Sequence, residues 1–292
     1  MKKSAASAPS KSEVSLATGG DIAQAAAADF ESFFHPNFPM RVRIKVGAVN
    51  HACIRKGMSG PEIVIPREMA SEAIDSPERL YFHLLILGHE IGHLVHRHLT
   101  AGHQDAADYR SLEFWADFYG AKVMMTLLTY GERMVPVFRC FFPDEKIFPC
   151  ALDPVGTAVG RLVKFVYTDD RRYPPKLLRA GTISNGITSF MRFHLKDADP
   201  IWPYSVFKRV ISSPEVKELI LCQPEDAEFD SDMIDRAIRW HRQAQGNEVA
   251  LAAGMKRNLL PFLHTTFDQT DEEIARSQEI RLAELRAGGF DI

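Results

Sequence analysis

Cysteine is scarce in this chain. Four cysteines occur among 292 residues, and no two of them form a C-x-x-C pair. A disulfide-stapled secreted domain needs a much denser set, so that class of protein is excluded. We therefore expect reduced thiols that are mostly buried as small apolar groups.

The chain also lacks a strong charge of one sign and any long apolar run. A formal net charge of -3 and a pI of about 6.4 give no general electrostatic reason to bind nucleic acid or an anionic membrane. No apolar stretch reaches the roughly 20 residues that a membrane-spanning helix requires, and residues 4–20 lack the apolar core of a signal peptide. We expect a cytoplasmic protein without nucleic-acid or membrane partners; its oligomeric state stays open.

The composition that is present predicts a folded chain. Hydrophobic residues make up 46% and charged residues 25%, as in ordinary globular proteins. Residues 1–20 are small and polar and predict a flexible tail, because they bury too little apolar surface to offset the entropy of ordering. We expect a main domain over 21–198 and a helical C-terminal region over 199–292 packed on it.

Two periodicities divide the chain. Alternating charged and β-branched residues predict a strand at 41–46, and 52–55 and 62–65 are two further short strand candidates. They form a small antiparallel or mixed sheet after an Ala-rich helix with Asp21 near its N-cap. Ser76 followed by Pro77 predicts a helix from there to about His98. Further helices are expected near 105–128, 154–168, 174–195, 204–222, 228–244 and 270–287. The predicted fold class is α+β, mainly helical, with a helical C-terminal half.

Residues 89–93 read H-E-I-G-H and carry the main chemical signal. Positions four apart share one helix face, so His89 and His93 can hold one ion while Glu90 reaches a water on it. A catalytic Zn²⁺ takes three protein ligands, and Glu113 on the next predicted helix supplies the third. Asp117, one turn later, would accept the free N–H of a ligand histidine and fix its tautomer.

The other histidines nearby are not expected to be ligands. A three-histidine site is disfavoured, because the sixth position after His93 is Leu99. His96, His98 and His103 are expected at the surface or behind the ligands, with His96 leaning most toward the metal face.

The segments E-F-W-A-D at 113–117 and H-E-I-G-H at 89–93 together resemble the gluzincin metallopeptidases. Within that class, residues 89–125 are similar to the Lit family of phage-exclusion proteases and to the ImmA-like proteases of mobile elements. Residues 172–179, R-Y-P-P-K-L-L-R, are similar to an H-P-P-x-x-x-R segment of several such peptidases, with tyrosine replacing histidine, and favour the Lit-like interpretation. The resemblance implies a zincin-like peptidase domain over 21–198 that cleaves a specific intracellular protein, for the Lit family the translation factor EF-Tu.

The implied activity is that of a hydrolase. Zn²⁺ would activate water and polarise the scissile carbonyl, while Glu90 passes a proton to the leaving amine. Candidate donors to the oxyanion are Tyr173, Arg179 and His194, and the 62–65 strand is a candidate open edge for an extended peptide. The alternatives are an ImmA-like regulatory protease and a non-catalytic zinc-stabilised binding protein. The latter leaves Glu90 unexplained, because structural sites normally fill all four positions with Cys or His.

Overall fold

The computed structural model describes residues 17–99, 105–143, 148–196, 199–222, 232–246 and 249–268, with scattered positions between 272 and 289. Across these ranges the fold is mainly helical α+β with one small sheet near the N-terminus, which confirms the predicted class. No described helix is both long and apolar enough to span a membrane.

The secondary structure follows the predicted division into an early sheet and later helices. The strands are β1 (Ile44–Gly47), β2 (Cys53–Gly57) and β3 (Gly60–Pro66). The first helices are α1 (Gly19–Ser32), α2 (Arg67–Ser71), α3 (Pro77–Val95), α4 (Ala106–Tyr130), α5 (Met134–Phe141) and α6 (Phe148–Ala151). The later helices are α7 (Asp153–Phe165), α8 (Lys176–Leu195), α9 (Ile201–Ser212), α10 (Pro214–Leu221), α11 (Met233–Gln245) and α12 (Leu260–Leu263).

The strand β3 lies in the centre of the sheet. It pairs in parallel with β1, which sets Ile44 opposite Ile63, and antiparallel with β2, which sets Ile54 opposite the same residue. The sheet is therefore mixed, and the prediction that residues 62–65 form an open edge is wrong. Alternation along a strand reports which face is buried and carries no information about its neighbours. The two edge strands of the sheet are β1 and β2.

Helix α1 begins earlier than predicted. The Thr18 hydroxyl accepts from the Asp21 N–H at 3.2 Å, and the Asp21 carboxylate accepts from the Thr18 N–H at 2.9 Å. This capping box makes Thr18 the N-cap and places Asp21 three residues later, near the cap as predicted. The predicted tail boundary at residue 20 falls inside the helix, and positions 1–16 lie outside the described residues.

The two helices that carry the motifs are confirmed. Ser76 caps α3 by accepting from the Arg79 N–H at 3.3 Å, with Pro77 at the first helical position. Asp105 caps α4 by accepting from the Asp108 N–H at 2.7 Å. Both caps satisfy backbone donors that a helix start leaves unpaired.

One predicted helix is split. The segment over 204–222 forms α9 and α10, because Pro214 holds the preceding Ser213 extended, with ψ 135°. The helix predicted over 228–244 corresponds to α11. The helix predicted over 270–287 lies largely outside the described residues.

Helices α3 and α4 cross in backbone contact. A Cβ on Gly88 would collide with the Gly120 carbonyl, and a Cβ on Gly120 would lie 2.5 Å from the His89 nitrogen. One turn away, a Cβ on Gly92 would lie 3.4 Å from the Ala116 Cα. Small residues at both crossing points therefore allow an approach that any larger side chain would prevent.

The C-terminal region contributes to the same core as the helices before it. The Tyr119 hydroxyl in α4 donates to the Leu263 carbonyl at 3.0 Å, and Phe34 forms a β-bridge with Met255. Buried side chains of this region join the main hydrophobic cluster, namely Ala252, Met255, Leu259, Phe262 and Leu263. The predicted boundary near residue 198 therefore does not separate two cores.

All four cysteines are free thiols, as predicted. Cys140, Cys150 and Cys222 are exposed, however, and Cys53 is half-buried. The expectation of mostly buried thiols is wrong. Cys140, for example, lies on α5, where only Met134 is buried.

Candidate metal centre

Three side chains from α3 and α4 converge on one point. The Nε2 atoms of His89 and His93 are 3.0 Å apart, and each lies 3.3 Å from an oxygen of the Glu113 carboxylate. The structure thus brings together the predicted ligand residues as a group that could hold a metal ion. His93 and Glu113 are buried, whereas His89 is half-buried.

Helix geometry explains this convergence. His89 and His93 are four residues apart and share one face of α3. Glu113 lies about two helical turns before Gly120 on α4, so it shares the face that crosses α3. The glycine contact between the helices therefore places the carboxylate over the two imidazoles.

Asp117 and Arg179 hold His89 from behind. Asp117 Oδ1 lies 2.9 Å from Nδ1 of His89, and Nε and Nη2 of Arg179 donate to the Asp117 oxygens at 2.6 and 3.0 Å. Burial alone would raise the pKa of Asp117, but the charges of Arg179 and His89 lower it below its usual value. Arg179 therefore positions Asp117. Arg179 also lines the cavity that opens over the ligand group, and its role as an oxyanion donor stays a prediction.

The ligand residues have the charge balance of a cation site. Burial lowers the pKa of His89, but Asp117 and Glu113 raise it to about 10 overall. Burial raises the pKa of Glu113, yet His93 and His89 hold it well below its usual value. The two carboxylates thus stay ionised and favour a positive charge at the imidazoles, which a proton or a metal ion can supply.

Glu90 lies beside the ligand face. It is buried, borders the same cavity as His89 and His93, and interacts with the backbone N–H of Ile54 in β2. Burial raises the pKa of Glu90, and the neighbouring histidines oppose that shift. A carboxylate whose pKa moves toward neutrality is suited to accept and release a proton.

A cavity of about 1350 Å³ opens over the ligand group. Tyr173, a predicted donor, lines it, and its hydroxyl is 3.3 Å from that of Tyr109. Tyr109 also interacts with Glu113. Tyr109 is absent from the residues predicted for the site, although its position one turn before Glu113 on α4 is an available signal.

Tyr167 is a second residue of this cavity that the sequence did not predict. Its hydroxyl is buried without a hydrogen-bond partner among the described residues, and Arg179 Cζ lies 3.9 Å from its ring centroid. Tyr167 precedes the 172–179 segment, and no local pattern singles it out.

The structure does not bring His194 to the site. Its Nδ1 is 3.0 Å from the Tyr130 hydroxyl, its ring stacks on Phe190, and it does not line the cavity. His194 lies about four helical turns beyond Arg179 on α8. Its prediction as an oxyanion donor is therefore wrong.

No family model matches the chain, and no curated protein or solved structure does. The site is accordingly interpreted from its own geometry. The resemblance to gluzincins stays an expectation that rests on the two motif segments.

His96 does not lean toward the metal face. Its Nδ1 bonds to the Gly92 carbonyl at 2.9 Å, and its Nε2 accepts from the Trp115 indole N–H at 3.2 Å. The expectation for His96 is therefore wrong. His103 lies outside the described residues.

His98 contacts the ligand group instead. Its Nδ1 is 2.6 Å from Nδ1 of His93, and its Nε2 is 2.9 Å from Nε2 of His241 on α11. Both residues are buried. The sequence does not predict the place of His241, because nothing local to α11 indicates where that helix packs.

Proposed function

We propose that this protein is a zinc-dependent endopeptidase whose metal ligands are His89, His93 and Glu113. The observation that carries the proposal is the close approach of the two histidine Nε2 atoms and the Glu113 carboxylate, with Glu90 lining the same cavity. In tetrahedral zinc sites, neighbouring ligand atoms stand about 3.3 Å apart. The two histidine Nε2 atoms, 3.0 Å apart, come close to that spacing, and each lies 3.3 Å from a different oxygen of the Glu113 carboxylate. Three protein ligands leave one position for water or substrate.

A zinc ion held there would supply Lewis-acid chemistry, lowering the pKa of water and polarising a peptide carbonyl. Glu90 is the group that takes a proton at its carboxylate and delivers it to the leaving amine. Its position against Ile54 of β2 supports this role, because it fixes the carboxylate at the cavity wall.

Two tyrosines that line the same cavity, Tyr109 and Tyr173, also support the proposal. Burial, and then the charge of Glu113, raises the pKa of Tyr109, so its hydroxyl keeps its proton. Tyr173, whose hydroxyl is hydrogen-bonded to that of Tyr109, occupies the position at which several of the similar peptidases have a histidine. Its phenol and the Arg179 guanidinium, which both line the cavity, are the candidate donors to the oxyanion.

Strand β2 is the surface on which we expect the substrate. Within the described residues it pairs only with β3, and Cys53 and Ile54 on it border the cavity. An extended peptide can add to such an edge through backbone hydrogen bonds. Ile54 interacts with Glu90, so a peptide on this edge would lie next to the catalytic base.

The cellular setting rests on the resemblance alone. It predicts cleavage of one specific intracellular protein, EF-Tu in phage exclusion for a Lit-like enzyme. An ImmA-like regulatory protease would use the same residues on a different target.

The metal site is tested by zinc content. We expect about one zinc per purified chain, lost in His93→Ala and in Glu113→Ala because each removes one of three ligands. His194→Ala is the matched control and should keep its zinc. A folded wild-type protein that never takes up zinc would refute the site.

The catalytic role is tested with Glu90→Gln. This variant should bind zinc like the wild type and lose roughly 100-fold or more of its cleavage rate, because the amide cannot take the proton. New N-termini in a treated cell extract, identified by sequencing, give the readout. Equal cleavage by both proteins would contradict the proposed mechanism.

A further inference from the structure

Three buried histidines, of which the first is the proposed ligand His93, contact one another in succession through their ring nitrogens. His93 Nδ1 lies 2.6 Å from His98 Nδ1, and His98 Nε2 lies 2.9 Å from His241 Nε2. All three residues are buried. We call His93, His98 and His241 the histidine chain.

With a metal ion at the ligand group, counting protons assigns one tautomer to each ring. A contact between two ring nitrogens at hydrogen-bond distance needs one proton between them, and a neutral imidazole carries one N–H. His93 directs Nε2 toward His89 and Glu113, so a metal ion there requires the proton on Nδ1. His98 must then accept at Nδ1 and donate from Nε2. His241 must accept at Nε2 and carry its proton on Nδ1, a buried atom without a hydrogen-bond partner among the described residues.

We propose that His98 and His241 are positioning residues that hold His93 in its metal-binding tautomer through the histidine chain. This inference rests on the proposed zinc site. It gives the two ligand imidazoles different supports, since Nδ1 of His89 faces the Asp117 carboxylate whereas Nδ1 of His93 faces a neutral ring. A partner of this kind normally sets the orientation and basicity of a ligand histidine.

Burial and the neighbouring histidines favour a neutral imidazole at the His241 end of the histidine chain. Burial lowers the pKa of His241, and the neighbouring His96 and His93 lower it further. Burial also lowers the pKa of His96 to about 3. A protonated ring is thus disfavoured next to His98, which leaves one proton for each contact.

The same proton count argues against a second metal ion. His96, His98 and His241 are close enough to be considered a metal group. However, Nε2 of His96 already accepts from Trp115, and one proton is shared between the other two Nε2 atoms. A cation there would force the His98 proton onto Nδ1, against the Nδ1–H of His93. The histidine chain therefore predicts one zinc per chain.

The tautomers can be read directly by ¹⁵N NMR of zinc-loaded full-length protein labelled at histidine. We expect His93 with Nδ1–H, His98 with Nε2–H and His241 with Nδ1–H. The opposite tautomer at His98, or two zinc ions per chain, would overturn the proposal. This readout needs neither a substrate nor a variant.

Zinc affinity, measured by competition with a chromophoric chelator, gives the second test. His98→Phe keeps the ring and removes both nitrogens, and we expect zinc binding roughly 10–100-fold weaker. His98→Asn offers an amide oxygen near the Nδ1 position and should recover most of that loss. A merely structural role would instead favour phenylalanine, which fills the site better than asparagine.

His83→Phe is the matched control. His83 is equally buried on α3 but bonds to the Arg79 and Met69 carbonyls, away from the ligands, so zinc affinity should be unchanged. Wild-type affinity in His98→Phe would overturn the histidine chain and leave the zinc site intact. Absence of zinc from the wild type would instead refute the proposed function itself.

Discussion

A single lysine shows how strongly burial acts at the residue scale. Lys122 on α4 is only 4% exposed, lies 5.4 Å from the Phe118 ring centroid and forms no ion pair within the described part of the chain. Burial lowers its pKa to about 8. The folded protein therefore disfavours the charged form that the unfolded chain keeps up to a pH of about 10.5.

We expect Lys122→Met to raise the free energy of unfolding at pH 7 by roughly 3 kcal/mol. Because the unfolded wild type binds more protons between about pH 8 and 10.5, wild-type stability should rise with pH across that window, and the advantage of the variant should shrink. Urea unfolding at pH 7 and 9.5 measures both effects. Lys45→Met, at an exposed site, serves as control; equal gains in both variants would contradict the burial argument.

At this scale the sequence predicts the residues that converge as proposed metal ligands and misses most of their supports. His89, His93 and Glu113 follow from helix periodicity, which is local. Arg179 and His241 reach the site from distant helices, so only tertiary packing decides what they contact. The same limit explains why the prediction for His194, on the same helix as Arg179, fails.

At the scale of elements, the crossing of α3 and α4 decides whether the ligands meet. We expect Gly120→Ala to cost about 1–3 kcal/mol of stability, because the added methyl meets the His89 backbone nitrogen at 2.5 Å. The helices must then separate, which moves Glu113 away from both imidazoles and weakens zinc binding. Urea unfolding and chelator competition measure the two losses.

Gly181→Ala is the control for that substitution. Gly181 lies in α8, and no atom lies within 4 Å of the position that an added methyl would take, so alanine should stabilise the helix by about 0.5–1 kcal/mol. If Gly120→Ala behaved like this control, the crossing would not depend on glycine.

Elements themselves are easier to predict from this sequence than their arrangement. Ser76 with Pro77 marks the start of α3, and Asp105 marks that of α4. The T-G-G-D pattern at 18–21 also signals the start of α1, but its acidic residue is the partner of the cap and not the cap itself. The neighbours of β3 could not be predicted, because three short strands allow several orders with the same alternation.

At the scale of the whole molecule, the site draws on elements from the sheet near the N-terminus to α11. The sheet supplies Ile54 beside Glu90, α8 supplies Arg179, and α11 supplies His241. The predicted division at residue 198 therefore crosses both the core and the support of the site. Local composition could not reveal this, because both sides of the boundary read as amphipathic helices.

The distance along the chain between His98 and His241 also sets an order of assembly. These residues are 143 positions apart, whereas α3 and α4 follow each other directly. Closing a longer loop costs more entropy, so we expect α3 and α4 to pair before α11 docks. Pulse-labelled hydrogen exchange during refolding should show protection in α3 and α4 first, and earlier protection of α11 would contradict this order. A newly synthesised chain would then offer its three ligands to metal before the last histidine arrives, so metal capture would precede completion of the fold.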